Sequence, residues 1–157
     1  PARSSTVSNP TVMGNNTMDF PEDIAFYLPH RPPLSFLRTL IDCTGGEVIT
    51  ETVFEPESIA VGEGHVVENA ALLELVAQSY AALRGYDDRK KGRTTSNGYL
   101  VGVTQFTAHA TAYANDTLRA IVRTTGAYDE FFVGEGHVYR ESELLAEATI
   151  KVWMQKP

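Results

Sequence analysis

Apolar residues crowd into one stretch of the chain and alternate with polar ones over much of the rest. The segment HVVENAALLELVAQSYAAL has Ala and Leu at many positions and contains neither Pro nor Gly, which predicts a helix over roughly 66–84 with Gly85 at its C-terminal end. Its apolar residues run nearly all the way round, the pattern of a helix wrapped by other elements rather than lying on a surface. Segments 98–110, 116–125, 127–140 and 144–154 read as strands. Alternation is clearest in the last, where Leu145, Glu147, Thr149 and Lys151 oppose Ala146, Ala148, Ile150 and Val152. Asn115-Asp116 and Glu141-Ser142 supply turn chemistry between them. Ahead of the helix, 35–42 and 47–55 are strand candidates joined at Gly45-Gly46 as a hairpin, and 56–65 is a loop. Leu28-Pro29-His30-Arg31-Pro32-Pro33 is extended or turning, because Pro fixes φ and removes donors. The order β–β–α–β–β–β–β predicts an α+β domain in which one long helix lies against a strongly curved antiparallel sheet.

Residues 1–18 are rich in Ser, Thr, Asn and Pro and have no apolar period, so they read as an N-terminal arm or tail ahead of a single domain at 19–157. Met13 and Met18 are candidate natural starts. The hexapeptide VGEGHV occurs twice, at 61–66 and 133–138; the flanks do not repeat, and it is taken as coincidence rather than a repeat architecture.

Composition narrows the function classes. Hydrophobic content of 43% and charged content of 21% are globular values. A net charge of -7 argues against general nucleic-acid binding, which needs a basic face to displace counterions. No apolar run is long enough to span a bilayer. The single cysteine, Cys43, cannot build an intrachain disulfide framework, so a cytoplasmic location is expected, with Cys43 as a small buried hydrophobe. The cysteine and the four histidines form no zinc-binding spacing, so no metal site is expected.

Glu74 is the strongest chemical clue. It lies mid-helix among Leu72, Leu73, Leu75 and Val76. A carboxylate buried without partners is costly, so such a group pairs, protonates or serves a function, and an apolar wall beside it suits a general acid. The plain alternative is a groove-edge carboxylate, exposed or hydrogen-bonded to backbone. Gln78 sits one turn further on the same face. His65 follows Gly62 and Gly64 at the expected helix start, where free N–H groups would polarise a carbonyl and flexible glycines, Gly64 especially, let a ligand approach; it is a candidate general base or else a solvated loop residue. Nine residues of helix put His65 about 13 Å from Glu74, so the two meet only if a twofold brings one chain's His65 to the other's Glu74. His30, in the Pro-rich corner, could place an imidazole against the helix. Asn69, in the first helical turn, could hold a carbonyl or water. His109 and His137 fall in strand patterns and read as structural. Arg84, Arg89, Lys90, Lys91 and Arg93 make a local basic cluster that would suit an acidic partner or a phosphate.

Three segments together resemble the 3-hydroxyacyl-acyl-carrier-protein dehydratases: Leu28-Pro29-His30-Arg31-Pro32-Pro33-Leu34 followed by a strand ending Leu40-Ile41-Asp42, the helix motif Leu73-Glu74-Leu75-Val76-Ala77-Gln78, and the late strand Leu145-Ala146-Glu147-Ala148. The dehydratase-like proteins of aryl polyene pathways look closest. The resemblance implies a hot-dog fold that dimerises through paired sheets, with an acyl thioester on acyl carrier protein or coenzyme A held in a tunnel at the interface. It implies His/Glu dehydration of a 3-hydroxyacyl chain, or the reverse hydration, with Glu74 as general acid for the leaving hydroxyl and His65 as the nearest match to the family histidine. The Phe-Pro that follows that histidine in the main dehydratases is Val66-Val67 here, and the stretch to Glu74 is shorter. A thioesterase on the same fold, or a non-catalytic subunit of a heterodimer with an active hot-dog chain, are the alternatives.

Overall fold

The computed structural model describes residues 20–155; the arm expected at 1–18 lies outside them. Seven strands form one antiparallel sheet: β1 (Glu22–Asp23), β2 (Thr39–Thr44), β3 (Glu47–Val53), β4 (Gly98–Ala108), β5 (Thr117–Tyr128), β6 (Phe131–Arg140) and β7 (Glu143–Met154), in the spatial order β1-β2-β3-β5-β6-β7-β4. A single long helix, α1 (Asn69–Lys90), packs on the concave face. The chain therefore leaves β3, crosses the sheet as α1, and returns on the far edge as β4. The expected element order holds, with only the two-residue β1 and two short 3-10 turns added.

Alternation decides which face each strand buries. On β7, Ala146, Ala148, Ile150 and Val152 are buried, and on β5, Leu118, Ala120 and Val122 join them. Against them α1 presents Leu72, Leu75, Val76, Tyr80 and Leu83, all nearly inaccessible. The helix settles close because β6 carries glycine at two successive inner positions. A Cβ at Gly134 would lie 2.7 Å from the Tyr80 ring, and one at Gly136 would lie 2.4 Å from Val76. The second VGEGHV thus works as a slot in a strand, whereas the first forms the turn ahead of α1.

Several boundaries differ from expectation, three of them for reasons of hydrogen bonding or close contact, and the strands expected at 47–55, 116–125 and 127–140 run Glu47–Val53, Thr117–Tyr128 and Phe131–Arg140. α1 begins at Asn69, not Val66, because Val66 and Val67 make isolated bridges with Tyr113 and Val61, and the Val67 N–H donates to the Ala112 carbonyl at 2.9 Å. α1 continues through Gly85 to Lys90. Gly85 is a contact glycine: a Cβ there would lie 2.3 Å from the Tyr27 carbonyl oxygen. The residue with positive φ at the helix end is Gly92, at +67°. The strand expected from Ser35 begins at Thr39; the backbone of 34–36 bonds to side chains of α1 and β3 instead. The Gly45-Gly46 hairpin is as expected, with φ of +61° and +78°.

The β4 edge is different in character. Tyr99, Leu100, Val101 and Val103 are 43–53% exposed, and among the described residues no strand pairs with the outer side of β4.

Candidate active site

Glu74 lies half-buried on the flank of α1 that faces away from the densest part of the core. Beside it, Ala77 and Ala81 follow along the same flank, also half-buried. These small side chains leave a cavity of about 110 Å³ between the helix and the β4–β7 end of the sheet, with Gly98, Leu100, Val152 and Met154 as its far wall. Its rim is closed by Pro29 and His30 on one side and by Thr95 and Ser96 on the other. One carboxylate, one imidazole and an amide thus share a small, largely apolar space, the form of a site built to orient one polar segment of a ligand.

Gln78 organises this space. Its side chain is 1% exposed, and both amide N–H groups and the amide oxygen are hydrogen-bonded. Nε2 donates to Glu74 Oε1 at 2.9 Å and to the Leu34 carbonyl at 2.7 Å, while Oε1 accepts from the Phe36 N–H at 2.9 Å. One amide therefore aims the carboxylate and fastens the Pro-rich segment to the helix. The Phe36 carbonyl accepts from the Thr52 hydroxyl, tying the same segment to β3. The turn itself is closed by Arg31, whose Nη1 donates to the carbonyls of Leu28 and His30 at 2.7 and 2.8 Å. His30 also lines an open outer cleft of about 830 Å³ floored by Phe36, Leu37 and Phe54, so it stands in the wall between that cleft and the Glu74 cavity.

Within the single chain, Glu74, Gln78 and His30 line one cavity, and His65, expected to meet Glu74 only across a twofold, and Asn69 do not line it. His65 ends a 3-10 turn, Glu63–His65, with φ of +60°, four residues ahead of the helix rather than at its first turn, and its side chain is exposed. Gly64, at φ +70°, is in the same turn. Asn69 is the exposed first residue of α1 and lines a separate cleft with His109. The basic cluster divides. Arg84 lies over the Phe132 ring at 4.4 Å and pairs with Asp87 at 3.7 Å, and Arg89 lies over the rings of Phe26 and Tyr27. Lys90, Lys91 and Arg93 are exposed at the end of α1, next to the loop that reaches the cavity.

Two contributors escape a reading of the sequence. Asp88, 6% exposed, accepts from the Ser96 N–H at 2.9 Å and so sets the loop that carries Thr95 and Ser96 to the rim. The available signal is an acidic residue in the last turn of a helix, where the dipole disfavours it and a separate partner is implied. The β4–β7 wall has no local signal. Among the described residues no group of His, Cys, Asp or Glu side chains is arranged to hold a metal ion. Cys43 is buried, and burial, with Asp87 and Asp42 nearby, pushes its thiol up to about 12. No helix among the described residues is long and apolar enough to cross a membrane.

A long helix against a single curved antiparallel sheet defines a hot-dog protein, and solved structures agree on the fold. The dehydratase heterocomplex ApeI:P from Xenorhabdus doucetiae superposes with a TM-score of 0.79 at 16% identity, over 86% of this chain and 92% of that one. A hypothetical thioesterase with coenzyme A from Streptococcus pneumoniae gives 0.61 at 11%, over 74% and 84%. The PaaI protein of the E. coli phenylacetic acid degradation operon gives 0.60 at 12%, over 73% and 80%. No curated protein matches by sequence. The chain belongs to the ApeP-like family, described as ApeP dehydratase, whose model matches residues 22–156.

Proposed function

We propose that this chain dehydrates a 3-hydroxyacyl thioester carried on acyl carrier protein, with Glu74 protonating the departing hydroxyl. The observation that carries the reading is the Glu74 carboxylate, aimed by Gln78 into a small cavity with apolar walls. Removal of the C2 proton and loss of the C3 hydroxyl together need one base and one acid, and no cofactor, because the thioester already acidifies C2. A histidine takes the C2 proton. His65 is exposed on a distant turn and serves this purpose only for a second chain. An acidic carrier would find Lys90, Lys91 and Arg93 exposed beside the cavity's rim.

The unpaired, apolar β4 edge favours pairing with a second hot-dog chain, identical or not. That edge, together with the heterocomplex among the similar structures, supports a second reading, in which the chain turns over substrate only beside a different subunit. Thioesterase chemistry is distinguished by its product.

The test is to incubate the purified protein with a 3-hydroxyacyl thioester and with its enoyl counterpart, following enoyl absorbance and free thiol. Interconversion without thiol release is expected, and Glu74→Gln should reduce it at least about 100-fold. Thiol release alone transfers the assignment to a thioesterase. Silence in both channels from a folded protein refutes activity of this chain by itself.

A further inference from the structure

We propose that the acyl tail of the substrate lies inside this chain, in the slot between α1 and the inner face of β4 and β7, and that Met154 ends the slot, so that Met154 and Gly98 set the longest chain accepted. The inference rests on the dehydratase reading above and deepens it by naming the substrate class, linear acyl groups of about eight to ten carbons.

The cavity beside Glu74 is elongated. Glu74 and Ala81 both line it, and seven residues of helix separate them by about 10 Å along the axis. Ser96, fastened to Asp88 a further two turns along α1, lines it as well. The space therefore runs from the carboxylate toward the C-terminal end of the helix. Its long walls are apolar, with Ala77 and Ala81 on α1 facing Leu100 and Val152 on the sheet. A volume of about 110 Å³ spread over that length leaves room for one unbranched chain. Three backbone bonds of an extended chain cover about 3.6 Å, or about 1.2 Å per bond. With the hydroxyl-bearing C3 opposite Glu74, about eight bonds reach the far end, less the clearance that a terminal methyl needs.

Met154 closes that end. It is the register partner of Gly98 across the β4–β7 ladder, and both residues line the cavity. A Cβ on Gly98 would lie 2.7 Å from Met154 Sδ and 3.4 Å from Val152 Cγ1. The Met154 side chain thus occupies the room that the glycine leaves, and it is 8% exposed. A flexible thioether filling a gap is a stop whose position follows its neighbours. Two substitutions at this contact have opposite signs. Gly98→Ala drives the sulfur out of that room and into the slot, which shortens it, whereas Met154→Ala removes the stop and lengthens it. A general loss of packing would weaken every chain length alike.

The test reads binding separately from turnover. The full chain, labelled at its methionine methyls, is titrated with saturated acyl N-acetylcysteamine analogues of four, eight and twelve carbons, in which a methylene replaces the thioester sulfur and prevents hydrolysis. The eight-carbon analogue should shift the Met154 methyl resonance, identified by its absence from Met154→Ala. It should bind at least about tenfold more tightly than the other two. Met154→Ala should move the ratio of the twelve- to the eight-carbon dissociation constant about tenfold in favour of twelve, and Gly98→Ala should move the ratio of eight to four about tenfold in favour of four. Met154→Val is the second variant should alanine destabilise the strand. A Met154 methyl unmoved by the eight-carbon analogue, or chain-length ratios that the two substitutions do not move in opposite directions, overturns the slot even where the chain dehydrates its substrates. Opposite shifts support it, and if they come without turnover of 3-hydroxyacyl thioesters they refute dehydration by this chain while the slot stands.

Discussion

Gln78→Leu removes the amide that joins the helix to the Pro-rich segment while nearly keeping its volume. Three hydrogen bonds go: those to the Leu34 carbonyl, the Phe36 N–H and Glu74. Each stranded backbone group costs about 1–3 kcal/mol when buried. Both lie in partly buried surroundings, so the low end applies, about 1 kcal/mol each, and the bond to the Glu74 carboxylate adds about 1.5 kcal/mol. The expected loss is about 3–4 kcal/mol. At a urea dependence of about 2 kcal/mol per molar, the unfolding midpoint should fall by about 1.5–2 M. Gln78→Glu sharpens the test, since it keeps an acceptor for the Phe36 N–H but sets a second carboxylate against Glu74. Like charges hold a proton on the pair in the native state that the unfolded chain has released above about pH 4.3. The unfolded state then binds fewer protons, so the deficit of Gln78→Glu relative to wild type should grow as pH rises from 4 to 7 and shrink on acidification. A loss under about 1 kcal/mol for Gln78→Leu, or a pH-independent deficit for Gln78→Glu, would refute the claim that this amide anchors the site.

Glycine substitutions give a prediction of inverted sign. Alanine in place of a mid-helix glycine normally gains up to about 1 kcal/mol, but Gly85→Ala should lose stability, because its Cβ meets the Tyr27 carbonyl. Gly136→Ala should lose about 1–3 kcal/mol by pushing Val76 off the sheet, whereas Gly102→Ala, whose Cβ finds nothing nearer than 3.9 Å, should stay within about 0.5 kcal/mol in the same denaturation assay. Cys43 should resist alkylation at pH 8 until denaturant is added, as read by mass spectrometry. Its thiol is raised by burial from 9.0 to about 12, so between those values the native chain keeps a proton that the unfolded chain has lost. Stability should therefore fall with rising pH across that window, and fall less steeply in Cys43→Ala.

The order of elements was legible because periodicity is a local property. A buried helix needs apolar residues all round and a sheet strand needs alternation, so α1, the Gly45-Gly46 hairpin and β4 to β7 could be read from the chain. Glu74 was legible for the same reason: a carboxylate among leucines breaks the local pattern. What the sequence could not supply was partners. Val66 and Val67 carry apolar side chains compatible with a first helical turn, yet bridges to Tyr113 and Val61 hold them extended. Gly85 looks like a stop signal and is a contact with a residue 58 positions earlier in the chain. The hexapeptide VGEGHV folds as a turn in one place and as a strand in the other, since hydrogen bonds from distant residues outweigh the small differences in local preference. The site follows the same rule. Glu74 and Gln78 are four residues apart and meet by helix geometry alone, but His30, Ser96 and Leu100 come to line the same cavity only after the sheet has closed beneath the helix, because residues so far apart along the chain meet through packing and not through spacing.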